Sequence, residues 1–270
     1  MTSVAARLFD DEAVRNKFLE HYDDLRGKVR TEVVRRHLKE VGLQPARKRL
    51  RILDIGCGDG RDSLWLAGMG HEVVGIDPAG SMLDAAEERK AEIDMKGSVE
   101  FAEGDADFAL RRWGPEQFDL VLSHGVLMYQ KDPAAFIEQH LELVKQDGIF
   151  SLLTKNAEAL TFRAAREASI DEAITLLEDS SSVGHLGLTT GAHTIQYLAD
   201  VGFTAGATIR SWAGVRMFCD SPSDPVLEAT DEKVVELEWA AALRDPHRRV
   251  GALIHVLLMR GVDVSLLPSA

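Results

Sequence analysis

The residues best suited to chemistry sit in Leu53-Asp54-Ile55-Gly56-Cys57-Gly58-Asp59-Gly60, where a short apolar run turns into glycines at alternate positions. Glycine adopts backbone conformations that a β-carbon forbids and lets the main chain approach a ligand closely. A helix opening just beyond such a turn presents free amide groups to that ligand. A pyrophosphate-binding dinucleotide fingerprint would require glycine at position 61, and Arg61 stands there instead. Asp77 closes the next apolar run, where one carboxylate can accept hydrogen bonds from both hydroxyls of a ribose. Met82 follows, either against the edge of a nucleobase or as an ordinary apolar helix contact. In Glu103-Gly104-Asp105-Ala106-Asp107, Asp105 is placed either to accept from a nucleobase amino group or to be a solvated loop carboxylate. Ser123-His124-Gly125 ends a fourth apolar run, so His124 faces the crevice at the carboxyl end of a sheet unless its role is structural.

Other chemistries find little support. Cys57 and Cys219 fit neither a disulfide framework nor a metal spacing, and the nine histidines are scattered without a His-Glu-x-x-His pattern, so no bound metal is expected. A formal net charge of −13 opposes long-range attraction of a polyanion. Basic residues occur only in short groups such as Arg47-Lys48-Arg49 and Arg248-Arg249. The start lacks a basic stretch followed by an apolar core, and no apolar run reaches the roughly 18 residues that a membrane span needs. A soluble, cytoplasmic protein is expected, with its oligomeric state open.

The elements that must carry these residues follow from periodicity. Residues 10–42 read as helix, with Leu25, Val29, Val33, Leu38 and Val41 at helical spacing and Gly42 as a stop. Strand-like runs at 50–55, 71–76, 99–101, 118–123 and 148–154 alternate with helical stretches at 62–69, 81–93 and 133–145. Such alternation implies βαβ units and a parallel sheet covered on both faces. The rhythm breaks after Lys155 with a helical insertion over 156–193 that includes a Ser180–Gly184 loop. A helix at 194–201 resumes the core, and late strands at 207–210 and 252–259, with no short helix between them, read as an antiparallel hairpin at the sheet edge. With 270 residues and no evident linker, one domain is expected: an N-terminal helical segment (1–47), a ligand-binding core (48–155), a cap insertion (156–193) and the rest of the sheet (194–270).

Gly56-x-Gly58-x-Gly60 after an acidic residue, joined to Asp77, resembles motif I of class I methyltransferases. That resemblance implies a doubly wound, mostly parallel seven-stranded sheet, a Rossmann-like methyltransferase fold with N-terminal helices and a helical cap, and S-adenosylmethionine as cofactor. More narrowly, the chain resembles the bacterial tRNA 5-carboxymethoxyuridine methyltransferase family. The likeness runs through Phe9-Asp10-Asp11, Gly27-Lys28-Val29-Arg30, Asp77 to Met82, His124-Gly125-Val126-Leu127 and Asp132-Pro133. It continues in Asn156-Ala157, Gly214-Val215-Arg216-Met217-Phe218, Glu236-Leu237-Glu238 and Ile254-His255-Val256. It implies that Asp54, Gly56, Gly58, Gly60, Asp77, Met82, Asp105 and Ala106 hold the cofactor, that Arg30 contacts the cofactor's carboxylate with His124 beside it, and that Arg216 reads an acceptor carboxylate. For Arg216 a surface ion pair is the alternative.

A carboxylate acceptor suits these residues, because it is ionised at neutral pH and needs no general base. The family can carry a lysine run in the cap, where this chain has Leu177-Glu178-Asp179-Ser180-Ser181-Ser182-Val183-Gly184. Together with the negative charge, that favours a carboxylate-bearing small-molecule acceptor, with tRNA as the alternative and a non-methylating S-adenosylmethionine-binding protein as a lesser one.

Overall fold

A computed structural model describes residues 22–45, 48–167, 170–178, 181–183, 189–220 and 229–261. Of the predicted helix over 10–42, the described part contains a helix that ends before Gly42. Asp24 accepts from the Gly27 amide at 2.8 Å and caps the start of α1 (Leu25–Glu40). Residues 10–21, the Phe9-Asp10-Asp11 segment, and Asp179, Ser180 and Gly184 of the cap run lie outside the described residues.

Beyond α1 the chain alternates strand and helix. β1 (Arg51–Ile55), α2 (Arg61–Gly68), β2 (Glu72–Asp77), α3 (Gly80–Ala91), β3 (Ser98–Glu103), α4 (Ala106–Trp113), β4 (Phe118–His124), α5 (Pro133–Leu143) and β5 (Val144–Lys155) form the parallel part. The cap follows as α6 (Ala157–Glu167), α7 (Ile170–Glu178) and a two-stranded ribbon of β6 (Ser181–Val183) and β7 (Thr189–Gly191). The ribbon stands where a plain loop was expected. The chain returns through α8 (Ile195–Thr204), β8 (Ala207–Val215), α9 (Asp231–Ala242) and β9 (Leu253–Arg260).

Seven strands form one sheet in the order β3-β2-β1-β4-β5-β9-β8, all parallel except β9, which runs antiparallel to β5 and β8. The expected edge hairpin is therefore corrected. The direction is right, but α9 intervenes, and β9 lies inside the sheet while β8 forms the edge. α9 is amphipathic, and its Val234 and Val235 bury against the α1 side of the sheet, which is why β8 and β9 cannot be joined by a tight turn.

Side chains alternate faces along each strand. Ile52, Leu120, Leu122, Leu153 and Leu257 join Val29 and Val33 of α1 and Leu64 of α2 on one face. Leu53, Val121, Leu152 and Val256 meet Ile137 of α5 and Leu198 of α8 on the other. Into the first face are set His124, Ser151 and His255, all fully or almost fully buried, one from each of β4, β5 and β9. The cap helices bury Ala164, Ala173 and Leu176 between them and leave Phe162 62% exposed.

These burials predict that Leu122→Ala, at a side chain with no exposure, destabilises the fold by about 2–5 kcal/mol. Phe162→Ala should cost less than about 0.5 kcal/mol. Urea unfolding of the two variants checks both.

Candidate functional site

The carboxyl ends of β1, β2 and β4 define a crevice. Gly56, Gly58 and Gly60 all have positive φ, at 74°, 54° and 75°. At Gly56 a β-carbon would lie 2.4 Å from the Val126 side chain, and at Gly58 it would meet the Met82 methyl at 3.2 Å. The turn is therefore closed to larger residues from below as well as by its backbone geometry. Gly56 and Cys57 amides donate to the Ile76 carbonyl of β2 at 2.8 and 3.1 Å. Asp77 completes the tie: one carboxylate oxygen accepts from the Gly58 amide and the other from the Ala79 amide, both at 2.9 Å. Each oxygen has a second lone pair, so accepting from the backbone is compatible with accepting from a ribose as well.

Beneath the loop, Asp54 accepts from Ser63 Oγ at 2.6 Å. Burial, reinforced by the negative charge of Asp62, pushes the Asp54 carboxyl up to about 7. Asp54 thus supports the turn from inside. Arg61, at the position that excluded a dinucleotide fingerprint, pairs with Asp59 at 2.8 Å and Asp23 at 2.7 Å.

A second group of residues meets at the end of β4. Arg30 Nη2 donates to the His124 carbonyl at 3.3 Å, and its guanidinium lies 4.6 Å from the centre of the Tyr22 ring. Arg61 approaches the same ring at 5.5 Å. Gly27 allows this arrangement, since a β-carbon there would lie 2.3 Å from the Tyr22 carbonyl oxygen. Burial raises the Tyr22 phenol to about 12, so it stays protonated at neutral pH. His124 has both ring nitrogens engaged, Nδ1 with Asp62 at 3.3 Å and Nε2 with Ser151 Oγ at 2.9 Å. Burial holds its pKa below the usual histidine value against the opposing pull of Asp62.

The far side of the crevice is cationic. Arg216, at φ 63°, pairs with Asp220, whose other oxygen is 2.8 Å from Arg163 of α6. Lys155 ends β5 and donates to Thr190 Oγ1 of the β7 ribbon at 2.5 Å. Burial first, then the charges of Arg163 and Arg216, lowers the Lys155 ammonium to about 8. Lys155, Leu253 and Val215 are register partners across β5, β9 and β8, so Arg216 stands about two strand spacings of 4.8 Å to the side of Lys155. Glu238 of α9 fixes the turn that carries Arg216 by accepting from the Met217 and Phe218 amides at 2.8 and 2.9 Å.

The sequence-predicted residues thus fall into groups. Asp54, Gly56, Gly58, Gly60 and Asp77 form one connected turn, with the buried Met82 beneath it, and Arg30 and His124 touch each other. Asp105 is exposed and caps α4 through the Phe108 amide at 2.9 Å, with Ala106 buried behind it. Arg216 lies apart, near the cap, in an ion pair. The sequence reading gave no role to Asp62, Tyr22, Lys155, Arg163 and Ser151, and Glu238 and His255 entered it only within segments that carry the resemblance. A polar residue in the midst of an apolar strand, as in Ile254-His255-Val256, was the one local signal available. A groove of about 680 Å³, lined by Lys28, Arg35, Trp65, Met69, Arg89 and Ile93 among others, runs along α1 and α2 and reaches Tyr22, Asp23 and Arg61 at the edge of this site. Among the described residues no group of three or more His, Cys, Asp or Glu could hold a metal ion, and no helix is long and apolar enough to cross a membrane.

The arrangement fits S-adenosylmethionine: a turn with no β-carbon at alternate positions, a carboxylate at the end of β2, and a guanidinium at the end of β4. A family profile described as methyltransferase domain matches residues 46–197. The tRNA 5-carboxymethoxyuridine methyltransferase of Escherichia coli K12 is 26% identical over 255 residues, covering 93% of this chain and 95% of that protein. A ubiquinone biosynthesis O-methyltransferase of Azorhizobium caulinodans is 37% identical over 118 residues, 44% of this chain and 45% of its own. In fold, the chain matches magnesium protoporphyrin IX methyltransferase from Synechocystis PCC 6803, solved with bound SAH, at a TM-score of 0.62 and 16% identity, covering 96% of this chain and 99% of that one.

Asp54 gives a pH signature. Its folded pKa of about 7 lies above the ordinary 3.8, so between these values the folded state binds more protons than the unfolded one and stability falls as pH rises. Asp54→Asn should flatten that decline between pH 4 and 7, as read by thermal unfolding across the range. An unchanged pH profile in the variant would contradict the assignment.

Proposed function

Because the chain belongs to the methyltransferase-domain family and depends on S-adenosylmethionine, we propose that it methylates the oxygen of a carboxylate on a small-molecule acceptor. The observation that carries this reading is that Arg216 and Arg163 already hold a carboxylate, that of Asp220, on the cap side of the crevice. Guanidinium groups bind carboxylates through paired hydrogen bonds, and an acceptor acid presents the same group.

When bound, S-adenosylmethionine supplies a methyl group on a cationic sulfur, and its transfer to a carboxylate oxygen cancels both charges without moving a proton. His124, its two nitrogens committed to Asp62 and Ser151, is not available as a base. That suits an acceptor already ionised at neutral pH better than a phenol or alcohol. An arginine beside the acceptor oxygen stabilises the charged reactant more than the neutralising transition state, so Arg216 orients and selects and does not accelerate. Arg30 and Asp77 hold the two ends of the cofactor.

A second reading, carboxyl methylation of 5-carboxymethoxyuridine in tRNA, is favoured by the match over 93% of the chain to a protein of that name. The net charge of −13 weighs against it.

The test is transfer of labelled methyl into a small-molecule extract and into tRNA carrying carboxymethoxyuridine. Label should enter the small acids as an alkali-labile ester. Arg216→Ala should lower kcat/KM about 100-fold, or ~2.7 kcal/mol, with the Kd for S-adenosylhomocysteine unchanged. Label confined to tRNA would establish the second reading, and an alkali-stable product would overturn both.

A further inference from the structure

Five hydrogen bonds link Asp62 to Ser211 across the α1 face of the sheet. His124 Nδ1 lies 3.3 Å from Asp62, and His124 Nε2 lies 2.9 Å from Ser151 Oγ. Ser151 Oγ is 2.8 Å from His255 Nε2, and His255 Nδ1 is 2.8 Å from His37 Nδ1 of α1. His37 Nε2 is 2.8 Å from Ser211 Oγ of β8. The strands β4, β5, β9 and β8 are consecutive in the sheet, so the chain of bonds crosses it sideways beneath α1.

The direction of each bond follows from its neighbour. An ionised carboxylate only accepts, so His124 donates from Nδ1. Neutral His124 then accepts at Nε2 from the Ser151 hydroxyl, whose oxygen accepts from His255 Nε2–H. His255 Nδ1 must in turn accept from His37 Nδ1–H, and His37 Nε2 from the Ser211 hydroxyl. Every donor points toward Asp62. Placing a second proton on His124 would make Nε2 a donor. Ser151 Oγ would then accept from both rings and its own hydrogen would lose the acceptor it had, unless Ser151, His255, His37 and Ser211 all reversed, and a buried donor left without an acceptor costs about 1–3 kcal/mol.

We propose that this chain keeps His124 neutral, with its proton on Nδ1, and that Ser151, His255 and His37 are positioning residues for the cofactor site through that effect. An imidazolium at the end of β4 would repel a cationic sulfonium, whereas neutral His124 adds no positive charge there. The charged and titratable groups that bear on His124 are Asp62 from α2, Arg30 and His37 from α1 and His255 from β9, while Arg35 of α1 and Asp54 of β1 act through Asp62. Burial above all holds His255 far below its usual pKa, and burial brings His37 to about 4, so both remain neutral in the physiological range. The inference rests on the cofactor site and not on the acceptor, so failure of the carboxylate reading leaves it standing.

Two measurements test it. Long-range proton–nitrogen correlation spectra of the whole protein labelled in histidine, at pH 7.5, should show His124 and His37 protonated on Nδ1 and His255 on Nε2. A cationic His124, or the opposite tautomer at His255, would overturn the proposal. Calorimetric titration with S-adenosylmethionine gives the second readout. Ser151→Ala frees His124 to take a proton without reversing the rest of the chain. Its Kd should weaken about fourfold from pH 8 to pH 6, as for an ordinary imidazole whose charged form does not bind, while the wild type stays within about 1.5-fold. Ser151→Thr should restore the flat profile. A Ser151→Ala profile as flat as the wild type's would contradict the positioning role.

Discussion

The two hydrogen bonds that Asp77 accepts from the Gly58 and Ala79 amides are the constraint on which the site depends. One carboxylate joins the turn after β1 to the turn after β2, so the glycine loop cannot move without the end of the neighbouring strand. Charge-assisted bonds to backbone amides are stronger than neutral ones. They fix the loop before any ligand arrives, and the conformational entropy of ordering it is already lost in the free protein. The alternating glycines permit the left-handed turn, and Asp77 selects that turn from those available to glycine.

Around this fixed corner the protein controls charge. Asp54 and Asp62 lie close together under the loop. Burial and the charge of Asp62 raise Asp54, whereas Asp62 is held well below the usual carboxylate range: its hydrogen bond from His124 and the guanidinium groups of Arg35 and Arg30 outweigh its burial. One carboxyl that titrates near neutrality and one that stays ionised between Arg35 and His124 set the charge under the loop. Across the crevice, Lys155, Arg163 and Arg216 supply the opposite sign near the cap. On the proposed carboxylate reading, a cationic methyl donor and an anionic acceptor would each meet complementary charge, with the buried histidines between the two regions neutral.

Much of this was legible in the sequence because it is local. The glycine turn, Asp77 at a strand end and the alternation of strands and helices each occupy a few consecutive residues, and the structure brings them together in order. The connection between β8 and β9 was not legible. Whether two late paired strands are joined by a tight turn or by an intervening helix depends on α9 packing against α1, a contact far apart in sequence. The Asp62–Ser211 chain was hidden for the same reason: it draws one residue from each of several elements, and every member alone looks like an isolated polar residue. Arg216 was found by resemblance, but its pairing with Asp220 and the turn held by Glu238 are tertiary facts. The cap ribbon escaped notice because three-residue strands carry almost no periodicity.

A crystal structure of the complex with S-adenosylhomocysteine tests the central claim most directly. The account predicts that the ribose hydroxyls lie within hydrogen-bond distance of the Asp77 carboxylate, with the amino-acid carboxylate on Arg30 and the sulfur facing the end of β4. A ligand seated instead in the outer groove along α1 and α2, with Asp77 making only its two backbone contacts, would contradict it.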